Sequence, residues 1–392
     1  MNKKQILFAS FSHFVCDVNS GSLPAILPFL ISAHGLSYSM ASALMLANSS
    51  LASIVQPIFG LLADRRARPW HMPAGILITG CGMAAVGFLD SYPAIFLVVM
   101  ASGMGSALFH PAAVRFANMV SGSAPGTGMS IFSVGGNAGY LLAPILVVAL
   151  MHLGGLPGLG LLAPLAAVLA GLMFYESLRF TRAQANGARP RPNTAGRSRT
   201  VNNWQAFAKL TVNVICRSII MVCLRAFIPL YWIAHFGQSE TAAALALTVF
   251  GACGVCSNLA GGMLADRFGY RRVVRTSHAL LLPLMLAFPF VDDFAVATVM
   301  LMALGVVQFL PFSSLVVLGQ RYLGGHAGFA AGITMGLGMS VGGMAAPILG
   351  RVADIWGLGM AFHVLSGCAL VSTIFAFLLS PAPKLPEDEE AT

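Results

Sequence analysis

Charge is what this sequence has least of. Of its 392 residues only 9% are Asp, Glu, Lys or Arg, against 57% that are hydrophobic. A soluble globular domain carries roughly 25% charged residues, so the composition excludes a soluble enzyme and a disordered chain. Acidic residues are the scarcer sign, 13 against 22 Lys+Arg. A net charge of +9 would suit a nucleic-acid binder only if the basic residues shared one surface, and their placement below excludes that partner. Cysteine is also sparse. Cys16, Cys81, Cys216, Cys223, Cys253, Cys256 and Cys368 all sit in apolar runs, which excludes a disulfide framework. Cys253 and Cys256 spell C-x-x-C, but in a Gly/Ala-rich apolar stretch without a second ligand pair they read as small packing residues. The sequence shows no nucleophile–base set, phosphate loop or metal cluster, so neither an enzyme nor a cofactor is expected.

Long apolar runs are abundant. A bilayer-spanning helix needs roughly 20 mostly apolar residues. Breaks at charged or Gly/Pro-rich points predict spans at 6–32, 40–63, 72–89, 94–114, 128–152, 157–178, 205–234, 241–264, 275–291, 294–318, 328–349 and 358–380. The expected fold class is therefore an all-α polytopic membrane protein with twelve transmembrane helices. Lys3 and Lys4 before an apolar run imitate a secretory signal, but His13, Asp17 and Asn19 interrupt it, and a retained helix is expected.

The positive-inside rule tests that count. With the N-terminus in the cytoplasm, all but three of the 22 Lys+Arg fall inside or at the inner boundary. The exceptions are Arg217 and Arg225 within span seven and Arg351 outside. Asp90, Glu240, Asp292, Asp293 and Asp354 fall on the outer side, and the acidic tail returns inside. Both termini are expected to be cytoplasmic, in a multi-pass protein of the inner (plasma) membrane. The domains expected are a six-helix bundle over 1–178, a polar cytoplasmic linker over 179–203, a second bundle over 204–380 and an acidic tail over 381–392.

The two bundles repeat each other at an offset near 201 residues. Ala25–Pro28 matches Ala226–Pro229. Gly60-Leu-Leu-Ala-Asp64-Arg65 matches Gly262-Met-Leu-Ala-Asp266-Arg267. Gly105, Phe109 and Pro111 match Gly305, Phe309 and Pro311, and Gly135, Gly139 and Pro144 match Gly338, Gly342 and Pro347. Four matches in one order indicate an internal duplication. The loops Gly60–Arg68 and Gly262–Arg272 resemble the G-x-x-x-D-R-x-G-R/K loop of the major facilitator superfamily, with Ala67 where Gly is usual in the first copy. More narrowly, the chain resembles the fosmidomycin-resistance family of drug exporters. That resemblance rests on Ser12-His13 with Asp17, Ser49-Ser50, Gln56-Pro57, Phe109-His110-Pro111 with Arg115, and Ser130-Ile131-Phe132 with Gly135-Gly136-Asn137 and Gly139. It implies the major facilitator fold of two pseudo-symmetric six-helix bundles, with spans one, four, seven and ten lining a central cavity.

Ionisable residues within spans are costly and by default functional. Asp17 is the one acidic residue deep in any span, and His13 lies four residues earlier on the same helical face, so Asp17 and His13 are the expected proton-coupling pair. A static pair that fixes helix packing is the alternative. Arg217 and Arg225 are separated by about 12 Å along span seven and by about 80° around it, so both can face one cavity. They are expected to bind substrate, with His110, Asn213 and Gln308. An ion pair between Asp17 and Arg217 and a purely structural role for the arginines are the alternatives. The D-R loops supply an expected cytoplasmic gate of Asp64, Arg65, Arg68, Arg115, Asp266, Arg267 and Arg271, closed by charge pairs and helix-end contacts. A simple topology anchor remains open for them.

The expected function is a proton-coupled secondary transporter, an exporter (antiporter) of a small anionic or amphiphilic drug-like compound working by alternating access. A proton-coupled importer of an anionic nutrient is the alternative, followed by a lipid flippase or a non-transporting scaffold. The partners expected are a small-molecule substrate, protons and the lipid bilayer, with no nucleic acid, and the chain is expected to be a monomer.

Overall fold

The computed structural model describes residues 2–49, 70–121, 125–185, 202–326, 329–330, 333–334 and 338–381. Among these the secondary structure is helical, with no strand. The helices are α1 (Lys3–His34), α2 (38–49), α3 (His71–Ala85), α4 (Tyr92–Ser121), α5 (Pro125–Gly154), α6 (Leu162–Ala185), α7 (Trp204–Phe236), α8 (Glu240–Phe268), α9 (Tyr270–Ala287), α10 (Phe294–Phe309), α11 (Phe312–Tyr322), α12 (Gly338–Trp356) and α13 (Leu358–Phe377). Ten stretches among the described residues are long and apolar enough to cross a membrane, and they fall on ten of the twelve expected spans. The second expected span starts on α2 and otherwise lies outside the described residues. The eleventh ends on α12, with part of its first half outside them.

Large apolar side chains face outward on most of these helices. Val168 is 65% exposed, Val299 64% and Ile348 66%. Such surfaces would drive aggregation in water and match a hydrocarbon surround. Two expected boundaries move. α6 runs on to Ala185, so the polar connection expected from residue 179 begins as helix, with Arg179 contacting Glu176 at 3.3 Å. Span ten runs on to Tyr322, as α10 and α11 with Leu310 and Pro311 at their junction. α10 closes with Leu310 N–H on the Val306 carbonyl, and α11 restarts with Leu315 N–H on the Pro311 carbonyl. Residues 186–201 of the expected linker and 382–392 of the expected tail lie outside the described residues.

Packing sorts the chain into two compact units. The first comprises Met1–Pro192 with Arg225–Thr248 and Ala346–Arg351. The second comprises Asn193–Leu224, Val249–Ala345 and Val352–Thr392. Each is held by the same devices at the sequence-repeat offset. Asn2 caps α1 by accepting from Gln5 N–H at 3.3 Å, and Asn203 caps α7 by accepting from Ala206 N–H at 2.9 Å. The Asn2 N–H donates to the Val120 carbonyl at the end of α4, 2.8 Å. The Asn203 N–H donates to the Tyr322 carbonyl at the end of α11, 2.7 Å. Each unit also has a buried core at this end, including Ile6, Phe116 and Val120 in one and Phe207, Leu318 and Tyr322 in the other.

Interhelical contacts in the first unit depend on absent side chains and on back-bonded hydroxyls. α3 and α4 cross glycine on glycine: a Cβ on Gly105 would stand 2.6 Å from the Thr79 nitrogen and 2.7 Å from the Gly75 carbonyl oxygen. Beside this crossing Thr79 Oγ1 donates to the Ser102 carbonyl at 3.2 Å, and Ser102 Oγ donates to the Thr79 carbonyl at 3.0 Å. Gly105→Ala should therefore force the helices apart and cost about 1–3 kcal/mol, the range for overpacking. Gly171→Ala, which meets nothing within 4 Å, should leave stability unchanged or raise it slightly. Thermal unfolding of both purified variants in detergent checks this, and equal midpoints would remove the close-approach explanation.

Candidate functional site

α1 is buried without interruption from Val15 to Pro28, and Asp17 falls in that stretch. Asp17 is 4% exposed. The helical repeat places His13 one turn earlier, and its Nε2 lies 3.1 Å from Asp17 Oδ2. A second imidazole arrives from α4, where His110 precedes Pro111. Its Nε2 lies 3.2 Å from Asp17 Oδ1, within ion-pair reach, although Oδ1 accepts no well-aligned hydrogen bond. His110 was expected among the substrate-binding residues; in the structure it joins Asp17 and His13.

Backbone carbonyls orient both rings. His13 Nδ1 lies 2.9 Å from the Phe132 carbonyl oxygen on α5, and His110 Nδ1 lies 2.8 Å from the Ser106 carbonyl oxygen on α4. A carbonyl oxygen only accepts, so each Nδ1 carries a hydrogen. The His13 ring stacks on Phe132 at 4.1 Å and meets His110 edge-on at 5.2 Å. α5 can come this close because it presents glycine: a Cβ on Gly136 would stand 2.4 Å from His13 Cε1 and 2.6 Å from Asp17 Oδ2.

With both Nδ1–H groups committed, each Nε2 faces a carboxylate oxygen. A neutral imidazole would then oppose a lone pair to a negative oxygen at each contact. The contact becomes attractive only when a proton lies between the two atoms. The cluster therefore has room for two protons. Its charge passes from −1 with none to 0 with one and +1 with two. Two imidazoles and a carboxylate with ligand atoms within 4.8 Å of one another are also donors of the kind metals take. Here each Nε2 is already closed onto its own carboxylate oxygen, and what the arrangement can do without any added group is hold and release protons.

The second unit carries the expected basic residue. Arg217, 6% exposed, donates from Nε to the Gln308 backbone carbonyl at 3.0 Å, and Gln308 Nε2 donates to the Arg217 carbonyl at 2.7 Å. This reciprocal pair joins α7 to α10, and the Phe312 ring lies 5.6 Å from the guanidinium carbon. Gln308 Oε1 is buried without a hydrogen-bond partner among the described residues. Asn213 sits apart from them. Its Nδ2 donates to His278 Nε2 at 3.1 Å, to the Ser372 carbonyl at 2.7 Å and to Ser372 Oγ at 3.1 Å, tying α7 to α9 and α13. Arg225 belongs to the first unit, with its guanidinium carbon 4.8 Å from the centre of the Tyr140 ring. Sequence reading named Phe132 only within a family motif and passed over Tyr140, His278, Phe312 and Ser372. A buried histidine in span nine was a visible signal for His278, whereas the aromatic residues and Ser372 had none in so apolar a chain.

Of the expected gate, Asp64, Arg65 and Arg68 lie outside the described residues, as does the side chain of Arg115. Asp266 accepts from the Tyr270 hydroxyl at 3.1 Å, Arg267 lies over Phe268, and Arg271 lines an open cleft at the start of α9. All seven cysteines are free thiols.

A helical membrane chain with repeated halves and a buried carboxylate-and-histidine cluster has the character of a secondary transporter. The sequence matches the family model of the Major Facilitator Superfamily over residues 9–347 and again over 210–391, and the chain belongs to that superfamily. It is 28% identical over 374 residues to the fosmidomycin resistance protein of Escherichia coli (strain K12), covering 94% of this chain and 91% of that protein. It is 30% identical over 391 residues to the uncharacterised MFS-type transporter YfnC of Bacillus subtilis (strain 168), covering 97% and 94%. Among solved structures it resembles a bacterial homologue of the human lysosomal transporter Spinster in an inward-facing, unoccupied conformation, with a TM-score of 0.79 and 13% identity over 96% of both chains. It also resembles a D-xylose–proton symporter, with a TM-score of 0.76 and 14% identity over 96% of this chain and 97% of that one. These two likenesses show the fold.

The contrast between Asn213 and Gly136 is testable. Asn213→Ala should lower stability by about 1–3 kcal/mol by leaving buried His278 Nε2 without its donor, with substrate affinity intact. Gly136→Ala should leave expression intact and cut transport at least tenfold, because the methyl group displaces His13 from Asp17. Thermal midpoints and liposome uptake read the two effects separately, and an active Gly136→Ala protein would show that the cluster tolerates being spread.

Proposed function

We propose that this chain is a proton-coupled exporter of a small anionic or amphiphilic compound, working by alternating access in the inner (plasma) membrane with both termini in the cytoplasm. The observation that carries the reading is the Asp17 carboxylate facing two Nε2 atoms whose rings are locked by backbone carbonyls. Proton entry makes both contacts attractive; the His13–Asp17 contact lies within α1, and the His110–Asp17 contact draws α4 to α1. Proton loss opposes the lone pairs to the carboxylate and drives α1 from α4. That is a two-state element biased by protons, which is what coupling requires.

Arg217 supplies the complementary charge. Its guanidinium, positioned by the Gln308 carbonyl and backed by Phe312, is suited to a carboxylate, phosphonate or similar anion. Gln308 Oε1 offers an acceptor for a donor on the same compound. Arg225 above Tyr140 is a second candidate contact. The name of the Escherichia coli relative supports export and makes fosmidomycin the first compound to test. Asp266, Arg267 and Arg271, with Asp64, Arg65, Arg68 and Arg115, are proposed to close the cytoplasmic side.

Reconstituted protein gives the test. Under an imposed pH gradient, with a chelator present in all samples, wild type should move fosmidomycin against its own gradient. Asp17→Asn should abolish gradient-driven movement, and His13→Gln and His110→Gln should each reduce the protons moved per cycle. Full gradient-driven transport by Asp17→Asn would falsify the proton assignment. Arg217→Lys and Arg217→Ala should both bind substrate on the order of tenfold more weakly at fixed pH, and unchanged affinity in both would remove Arg217 from the site.

A further inference from the structure

A second concentration of charge lies at the end of α8 and the start of α9. A cleft of about 760 Å³ opens there, lined by Arg271, Arg272, Arg275 and Arg321, with Asp266 as its acidic member. Three of these charged groups are already engaged. Arg275 donates to the Ala376, Phe377 and Leu379 carbonyls and so closes the C-terminal end of α13. Arg321 lies over the Tyr270 ring at 5.1 Å. Asp266 accepts the Tyr270 hydroxyl. Among the described residues neither Arg271 nor Arg272 has a hydrogen-bond or ion-pair partner. The opening of α9 adds to the same field: its N-cap, Gly269, at φ +90°, provides no side-chain cap, so the positive end of an 18-residue helix points into the cleft region unneutralised.

Four guanidinium groups, a single occupied carboxylate and an uncapped helix start form an anion site, and forked N–H donors fit a phosphate group best. We infer that this cleft binds a phosphate-bearing anion, the headgroup of an anionic phospholipid. The argument for a lipid over a soluble phosphate is the wall of the cleft. Phe268 lines it and is 47% exposed, and Leu264, one turn earlier on α8, is 38% exposed. These two residues continue the outward apolar face of α8 up to the arginines. A lipid can place its chains along α8 and its phosphate between Arg271 and Arg272, whereas a soluble phosphate compound gains nothing from Leu264 and Phe268. The bound lipid would neutralise the loop and hold the α8–α9 connection at the membrane surface.

Native mass spectrometry of the full chain in detergent tests this. Three probes are offered separately: dioleoyl phosphatidylglycerol, dioleoyl phosphatidylcholine and glycerol phosphate. Phosphatidylglycerol should be retained about tenfold over phosphatidylcholine. Arg271→Gln with Arg272→Gln should abolish that preference, while Arg351→Gln, far along the sequence on α12, should keep it. Should the double variant have a lowered thermal midpoint without lipid, Arg272→Gln alone carries the test, and a loss of about threefold is expected. Equal retention of the two lipids, or a preference that survives these substitutions, overturns the site. Glycerol phosphate binding as tightly as phosphatidylglycerol, with the same dependence on Arg271 and Arg272, overturns the lipid and assigns the cleft to a soluble phosphate compound.

Discussion

A carboxylate placed in an apolar helix bundle must be neutralised where it stands, and much of the first unit follows from how Asp17 is neutralised. An unpaired charge there would cost several kcal/mol, a large share of a protein's usual margin of stability. Two imidazoles answer it, from different helices, and each must present Nε2 and not Nδ1. Phe132 and Ser106 enforce that choice by accepting the Nδ1 hydrogens on their carbonyls. The rings then need space beside α5, which is why glycine occupies position 136. Because the partners are themselves titratable, the arrangement is attractive only with protons bound. A lysine or arginine partner would have made the attraction permanent.

The duplicated scaffold is used unequally. The asparagine caps, the ties from each unit's first helix to a later one and the glycine approaches recur at nearly one offset. These features depend on backbone geometry, which a duplication preserves. The charged residues in the interior do not recur. The repeat of Asp17 in the other copy is Ser218, and its neighbour Arg217 exchanges hydrogen bonds with Gln308. The two copies thus carry opposite interior charges, Asp17 in one and Arg217 in the other.

Several site residues were legible because the membrane makes polarity conspicuous. Asp17, His13, His110, Arg217 and Gln308 stood out against apolar neighbours, and the i, i+4 spacing already paired His13 with Asp17. The role of His110 was not legible. Nothing in a linear sequence brings residue 110 to residue 17, and its approach depends on how α4 crosses α1. The partners of Asn213 were not legible either: a buried amide reads alike whether it meets a ligand or another helix, and its Nδ2 meets His278 and Ser372.

The sequence by itself determined the helical membrane class, the near-complete set of spans, the duplication and the short list of intramembrane polar residues. These follow from hydrophobicity and spacing, which are local properties that the bilayer reads directly. Only the tertiary structure decided which polar residues meet, which nitrogen of each histidine faces the carboxylate and which arginines gather around one cleft. Those outcomes depend on interhelical distances of a few ångströms, fixed by glycine contacts and backbone carbonyls from residues far apart in the chain.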